Sequence, residues 1–213
     1  MVDELRANEA YARFAESLTP LLPKERIITD ASRRIAYATD ASFYRLIPQL
    51  VLRLDTEVEV IEVLQRAARA KLTVTFRAAG TSLSGQAQSD AILVLLTNNW
   101  RGHEIMDLGA KIKLQPGVIG ADANRYLQPY QRKIGPDPAS IDTCNIGGIA
   151  ANNASGMCCG VAQNSYHSLD AIRVILADGT VLDTSESDSR AGFRQTHGEL
   201  LDRLASLGVK TRK

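Results

Sequence analysis

The chain has 213 residues, of which 45% are hydrophobic and 23% are charged, which is ordinary for a soluble globular protein. Its net charge of +1 provides no overall field for binding nucleic acid, so no nucleic-acid partner is expected. No run of about 18 apolar residues occurs and the charged start lacks a signal-peptide core, so we expect no transmembrane segment and a cytoplasmic location. The three cysteines, Cys144, Cys158 and Cys159, predict neither a disulfide framework nor a metal site.

The N-terminal part of the chain predicts two helices, over residues 3–18 and 30–38. Thr19 precedes a proline and ends the first helix, because a residue in that position disfavours the α region. Asp30 is the expected N-cap of the second helix.

A strand, a helix and a strand follow in close succession. The strands are predicted over 50–53 and 72–76, and the helix is capped by Asp55 or Thr56 and runs to about Ala70. This order favours a parallel strand pair with a right-handed crossover. A further apolar strand over 91–96 completes a small α/β lobe of roughly residues 45–97.

A second lobe is predicted from about Trp100 onward. It contains a hairpin of residues 103–107 and 111–115, a helix over 121–130, and a hairpin that turns at Asp178-Gly179. A polar loop over 185–190 and a final helix over 197–207 are expected to follow.

The stretch Arg77–Gln86 is built almost entirely of small residues. Gly80 and Gly85 permit a positive φ or a close approach of the backbone to a ligand, and successive amides in such a turn can form an anion site. It is not a P-loop, because Gln86 and Ala87 stand where that motif needs Lys and Ser or Thr. From this loop alone, a phosphate cradle and a turn without a ligand remain equally open.

Residues 134–172 contain no Lys or Arg. Such a gap favours a buried or ligand-covered segment, in which an anion would be held by backbone amides and helix N-termini. The alternative is tight helix packing that requires small residues, and composition alone slightly favours it.

Three segments together resemble one family, the vanillyl-alcohol-oxidase-type (PCMH-type) FAD-binding domain. Residues 77–85 resemble its pyrophosphate loop, residues 135–156 its second flavin-contacting stretch, and residues 174–179 the strand and turn beside the adenine. The opening of the matched region, residues 37–45, is similar to the FAD-linked D-lactate and D-2-hydroxy-acid dehydrogenases, particularly large bacterial forms with a C-terminal iron–sulfur module.

The resemblance implies an α+β fold with two lobes, a small parallel β-α-β lobe and an antiparallel-sheet lobe, the latter incomplete. Residues 1–45 would form an N-terminal helical extension and residues 46–213 the PCMH-type domain. FAD would be noncovalent, since Thr81 occupies the position at which some relatives attach the flavin through His. The residues implied to bind FAD are Ala78, Ala79, Gly80, Thr81, Ser82, Ser84, Gly85, Pro136, Ser140, Asn145, Gly147, Gly148, Asn152, Asn153, Gly156 and Ile175.

The implied function is the FAD-binding part of a D-2-hydroxy-acid dehydrogenase, with D-lactate the favoured substrate and hydride transfer to the flavin. The alternative is a flavin- or nucleotide-binding module without turnover. A further flavin-domain segment and a substrate cap are expected beyond residue 213, so we name no catalytic residue and expect this chain to be inactive alone. The electron acceptor is not identified, and homo-oligomerisation and a position peripheral to the inner membrane are left open.

A few single residues allow two interpretations. His103, His167 and His197 are scattered, which favours structural roles over a metal site. Arg45 could bind a substrate carboxylate, but a surface salt bridge is favoured. Cys158 and Cys159 are interpreted as packing residues, because adjacent cysteines rarely reach disulfide geometry.

Overall fold

The computed structural model describes residues 9–211, so the start of the first predicted helix lies outside the described residues. In chain order, the first part contains α1 (Glu9–Ser17), β1 (Ile27–Ile28), α2 (Ala31–Ala36), β2 (Leu50–Leu54), α3 (Glu57–Ala70), β3 (Val74–Arg77) and β4 (Ile92–Leu96). The second part contains β5 (His103–Met106), β6 (Lys111–Leu114), α4 (Gly120–Leu127), α5 (Ile146–Ala151), α6 (Ser165–Ser168), β7 (Arg173–Ile175), β8 (Val181–Asp183) and α7 (Ser187–Thr211).

The first part forms a four-stranded sheet in the order β1-β2-β4-β3. β4 runs parallel to both neighbours, with Ile92 opposite Leu50 on one side and Val74 on the other. The predicted strands 50–53 and 72–76 therefore share a sheet and run parallel, as predicted for the β-α-β unit, and β4 lies between them. The reason is burial: Ile92, Leu93 and Val94 are fully buried and suit a central strand, which must be apolar on both faces.

The main core lies between the sheet, α1 and α3. Its fully buried side chains include Leu52, Val63 and Val94 from these elements and Leu18, which follows α1 directly. Trp100 closes one end of this core, where its indole Nε1 donates to the Leu54 carbonyl over 2.9 Å. Burying one large aliphatic side chain contributes about 1.5–3 kcal/mol, so this region carries most of the hydrophobic stabilisation.

Side chains cap the two helices where the sequence predicts it. Asp30 Oδ1 accepts from the Arg33 amide over 2.9 Å at the start of α2. Thr56 Oγ1 accepts from the Glu59 amide over 3.2 Å at the start of α3, which decides between Asp55 and Thr56 as its N-cap.

The second part contains two separate antiparallel hairpins, β5-β6 and β7-β8, rather than one larger sheet. The mixture of parallel and antiparallel strands with helices confirms the α+β class.

The last helix starts earlier than the sequence pattern suggests. α7 begins at Ser187, so the polar loop predicted over 185–190 is wrong over most of its length. The polar run Ser187-Asp188-Ser189 is typical of a helix start, but the apolar period begins only at Phe193, where the helix first buries a side chain. A local break in helical geometry at His197, with φ −125°, separates the first part of α7 from the helix predicted over 197–207.

Between residues 9 and 211, no helix is long and apolar enough to cross a membrane.

Candidate functional site

The small-residue loop leaves the C-terminal end of β3, at the edge where the parallel strands β2, β3 and β4 all finish. Ligands of open α/β sheets bind at this edge. Gly80 and Gly85 have φ values of 69° and 77°. A Cβ at Gly80 would lie 2.7 Å from Arg77 Nε, and one at Gly85 would lie 2.7 Å from Tyr44 Cδ2. Both positions therefore favour glycine for conformation, and an added Cβ would also displace the Arg77 guanidinium or the Tyr44 ring.

The backbone amides of this loop are available to a ligand. Within the part of the chain that the structure describes, the amides of residues 79–83 donate no hydrogen bond. The next amide, that of Ser84, is held by Ser82 Oγ over 3.3 Å. Consecutive free amides, with the Thr81 hydroxyl beside them, are a donor set suited to a phosphate or diphosphate group, whereas the Ser82 hydroxyl donates to Gln86 Oε1.

The start of α5 lies against this loop. A Cβ built on Gly148 would be 3.6 Å from Ala78 Cβ, so the two predicted stretches meet here. The Gly147 amide donates to the Pro116 carbonyl over 2.9 Å, and a Cβ at Gly147 would come within 2.8 Å of Pro116 Cβ. Small residues therefore let three backbone segments converge at the loop. The sequence pattern had not indicated Pro116.

Other predicted site residues hold the backbone of the second stretch in place. Asn145 Nδ2 donates to the Gly117 carbonyl over 2.7 Å, and the Ser140 carbonyl accepts from the Cys144 amide over 2.7 Å. Asn153 has a φ of 47°, and its Oδ1 accepts from the Tyr166 amide over 3.0 Å. Their side chains or carbonyls are thus already engaged in shaping the stretch.

Three further predicted residues differ in their surroundings. Gly156 runs so close to Asp137 that an added Cβ would overlap the Asp137 carbonyl oxygen at 1.7 Å. Pro136 is buried, whereas Asn152 is exposed at the C-cap of α5.

Ile175 lies in β7 and packs against the main hydrophobic core. Its expected contact with adenine stays a prediction.

The cation-free segment is not buried throughout. Met157 is 99% exposed and Val161 is 74% exposed, so the burial explanation is wrong for this part. Tight packing is found at Gly147 and Gly156, as the alternative proposed. Cover by a ligand stays a prediction.

The three histidines lie in separate places. His103 stacks on Tyr126 with ring centroids 3.7 Å apart, His167 Nδ1 lies 2.9 Å from Asn164 Oδ1, and His197 Nε2 lies 2.9 Å from Asp178 Oδ2. Among residues 9–211, no group of three or more His, Cys, Asp or Glu side chains could hold a metal ion.

Arg45 is exposed and forms no ion pair with any other described residue, so the favoured surface salt bridge is not found. Burial raises the pKa of the Cys144 thiol, which disfavours a thiolate there.

These features are typical of a domain with an anion-binding loop at the edge of a parallel sheet. The family model of the FAD binding domain matches residues 48–185, and the chain therefore belongs to this family. FAD is the cofactor of that family, and the glycine cradle with its free amides fits the diphosphate of FAD.

Two curated relatives illustrate the similarity. The D-2-hydroxyglutarate dehydrogenase of Haemophilus influenzae is 29% identical over 170 residues, which cover 76% of this chain and 16% of the relative. The glycolate oxidase subunit GlcD of Escherichia coli is 33% identical over 168 residues, which cover 76% of this chain and 33% of the relative. The chain thus spans a third or less of the length of these two relatives.

The fold is shared with solved structures at low sequence identity. The structure of p-cresol methylhydroxylase with substrate bound superposes with a TM-score of 0.62 at 14% identity, covering 83% of this chain and 36% of the other. The resemblance to the PCMH-type fold, and to the FAD-linked hydroxy-acid dehydrogenases in sequence, is therefore confirmed.

Proposed function

We propose that this chain is the FAD-binding part of a flavin-dependent dehydrogenase acting on D-2-hydroxy acids. The observation that carries the proposal is the row of free amides over residues 79–83, in a loop whose two glycines, Gly80 and Gly85, have positive φ. These amides would hold the FAD diphosphate, with hydroxyls from Thr81, Ser82 and Ser84 beside them. The start of α5 would form the facing wall through Gly147 and Gly148.

The chemistry would come from the cofactor. When bound, FAD would supply the acceptor for a hydride from the substrate carbon that bears the hydroxyl, and the protein would position the flavin and exclude water. The chain's own contribution is the binding of the diphosphate by backbone groups.

The substrate proposal rests on the relatives. Their names specify D-2-hydroxyglutarate and glycolate, which share with D-lactate a hydroxyl on the carbon next to a carboxylate. We therefore propose the class of 2-hydroxy acids and keep D-lactate as one member to test. A flavin-binding module without turnover is the second candidate, because none of the described site residues supplies an evident base.

We also propose a division of the chain and a mode of cofactor attachment. Residues 1–45 form an extension and residues 46–213 the FAD-binding domain, with Phe14 and Leu18 of the extension packed into the shared core. Noncovalent binding is supported by Thr81 and by the lack of any His between residues 78 and 88. A cytoplasmic location completes the proposal, and a position of the whole protein at the inner membrane is left open.

FAD titration tests the proposed function directly. The 213-residue chain should quench or enhance the fluorescence of FAD on binding and should bind FMN, which lacks the second phosphate and the adenine, at least about tenfold more weakly. Gly80→Ala should weaken FAD binding by about tenfold or more, because its Cβ meets Arg77 at a positive φ. Gly192→Ala is the matched control, since nothing lies within 4 Å of that position.

Equal affinity for FAD and FMN would contradict the proposal. Acid precipitation should leave the flavin in the supernatant, and flavin in the pellet would show covalent attachment instead. Dye reduction with D-lactate, glycolate and D-2-hydroxyglutarate separates an enzyme from a binding module. We expect FAD binding to be weak and no turnover from this chain alone.

A further inference from the structure

The segment before β2 lies across the small-residue loop. We call residues 37–46 the arm. Arg77 Nη1 donates to the Tyr37 carbonyl over 3.1 Å, the Ala41 amide donates to the Gly80 carbonyl over 2.9 Å, and the Leu46 amide donates to Gln88 Oε1 over 3.2 Å. The arm is therefore tied to the loop before its first glycine, at that glycine and after the second.

The arm also fills the space that side chains at the two glycines would need. The Tyr44 ring occupies the position of a Cβ at Gly85, and the guanidinium of Arg77, bonded to the arm, occupies that of a Cβ at Gly80. The conformation of the loop is thus fitted to the arm at both of its positive-φ positions.

A polar cluster holds the arm itself. Asp40 Oδ1 accepts from the Ser42 amide over 2.8 Å and from the Ser42 hydroxyl over 2.5 Å. Its other oxygen, Oδ2, is buried and has no hydrogen bond within the described residues, and the same holds for Nε2 of Gln88, a residue only 8% exposed. Asp40 Oδ2 and Gln88 Nε2 are therefore a buried acceptor and a buried donor that make no hydrogen bond of normal geometry to a described residue.

The Asp40 carboxylate also interacts electrostatically with Arg77, the first residue of the loop. Burial opposes ionisation of Asp40, but the side chains of Ser42 and Gln88, the Ser42 amide and the charge of Arg77 together hold the pKa of its carboxyl below the usual value. Asp40 is therefore an anion at neutral pH. The positive charge of Arg77 offsets the negative charge of Asp40. This compensation matters because the proposed site nearby would bind a diphosphate, which is also an anion.

We propose that the arm is a clamp that holds the loop in its diphosphate-binding conformation before FAD arrives, with Asp40, Arg77 and Gln88 as positioning residues. This rests on the proposed function. Ordering a loop on binding opposes affinity, and a loop that is already ordered avoids that loss. The family match begins at residue 48, so the clamp assigns a part in cofactor binding to residues that lie outside the matched region.

Two variants test the clamp, Asp40→Asn and Gln88→Met, each in the whole 213-residue chain. The exposed Asp202→Asn on α7 is the matched control. Millisecond hydrogen–deuterium exchange on the FAD-free protein reports on residues 79–86, and FAD titration and thermal unfolding are measured in parallel. We expect exchange of residues 79–86 to accelerate by about threefold or more. FAD binding should weaken by about tenfold, while exchange of β4 stays within error of the control.

Unchanged exchange and unchanged FAD affinity in both variants would overturn the clamp. Faster exchange in β4 together with a lower melting temperature would also overturn it, because the residues would then support the fold as a whole. If the unsubstituted chain fails to bind FAD, the proposed function fails, and exchange of residues 79–86 still decides whether the arm orders the loop.

Discussion

The parallel-sheet region, residues 27–96, and the glycine-rich region, residues 98–185, are held together in opposite ways. In the first, fully buried side chains such as Leu52 and Leu93 fill the space between elements. In the second, the elements approach at Gly120, Gly147 and Gly156, where an added Cβ would meet a neighbour at 2.8 Å or less.

This difference in packing predicts which substitutions each region tolerates. The sheet region should be sensitive to the loss of side-chain atoms, because a cavity then remains in a close-packed core. The glycine-rich region should be sensitive to the gain of a single methyl group. That region also contains most of the predicted cofactor contacts outside the first loop. Its backbone segments must therefore approach one another closely and also approach a ligand.

The largest effect is expected from a truncation in the sheet. Leu52→Ala should lower the free energy of unfolding by about 3 kcal/mol, since Leu52 is fully buried between the sheet and the helices. Urea denaturation followed by circular dichroism measures the change. Leu204→Ala on the exposed face of α7 is the control and should change stability by about 0.5 kcal/mol or less. Equal losses in both variants would break the comparison.

A smaller effect is expected from the gain of a methyl group in the glycine-rich region. Gly156→Ala places a Cβ on the Asp137 carbonyl at a φ of 136° and should cost about 2 kcal/mol, with faster exchange around residues 137 and 156. Gly160→Ala lies in the same segment at a positive φ but meets nothing within 4 Å, so it should cost only about 1 kcal/mol. Hydrogen exchange and urea denaturation of the two variants distinguish crowding from backbone conformation. A Gly160 variant as damaging as the Gly156 variant would refute the role given to close approach.

The smallest effect concerns an ion pair that joins the two regions. Arg173 of β7 contacts Glu57 of α3, with Nη2 and Oε2 separated by 2.8 Å. The hydrogen bond with Arg173 holds the pKa of Glu57 below its usual value of 4.5. Both side chains are about 40% exposed, so the pair should contribute only about 0.5 kcal/mol.

The pH dependence of this pair has a definite sign. Because the pKa of Glu57 is lowered in the folded state, the stabilisation is complete above 4.5 and disappears as the pH falls through the folded pKa. Glu57→Gln should therefore be less stable than the unsubstituted chain at pH 7 and equally stable well below pH 4.5. Denaturation curves at several pH values check this, and a difference that persisted in acid would exclude the ion pair as its source.

Much of the first region could be predicted from the sequence. The apolar runs and the caps at Asp30 and Thr56 locate its strands and helices to within a few residues. The order of the strands could not be predicted, because periodicity reports burial and local conformation but not which strand lies between two others. The continuous apolar run of residues 91–96 was the available sequence signal for a central position.

The glycine positions of the candidate site could be predicted from residue type. The hydrogen-bond partners of its side chains could not. Gly80, Gly85 and Gly147 stand out in the sequence and prove to lie where an added Cβ would meet neighbouring atoms. The engagement of the Asn145 and Asn153 side chains with the backbone, and the arm over the loop, result from contacts between distant segments. No local pattern encodes those contacts.

The central position of β4 also sets the order in which this chain can fold during synthesis. β2 pairs with β4 and β3 pairs with β4, so neither β2 nor β3 has its parallel neighbour until residues 92–96 have been made. The helix α3 and both flanking strands must wait on the nascent chain with apolar surface exposed, and non-local parallel pairing of this kind is slow. The sheet region therefore stays open to chaperones and proteases until β4 has left the ribosome, and only then can β2 and β3 both find their parallel neighbour.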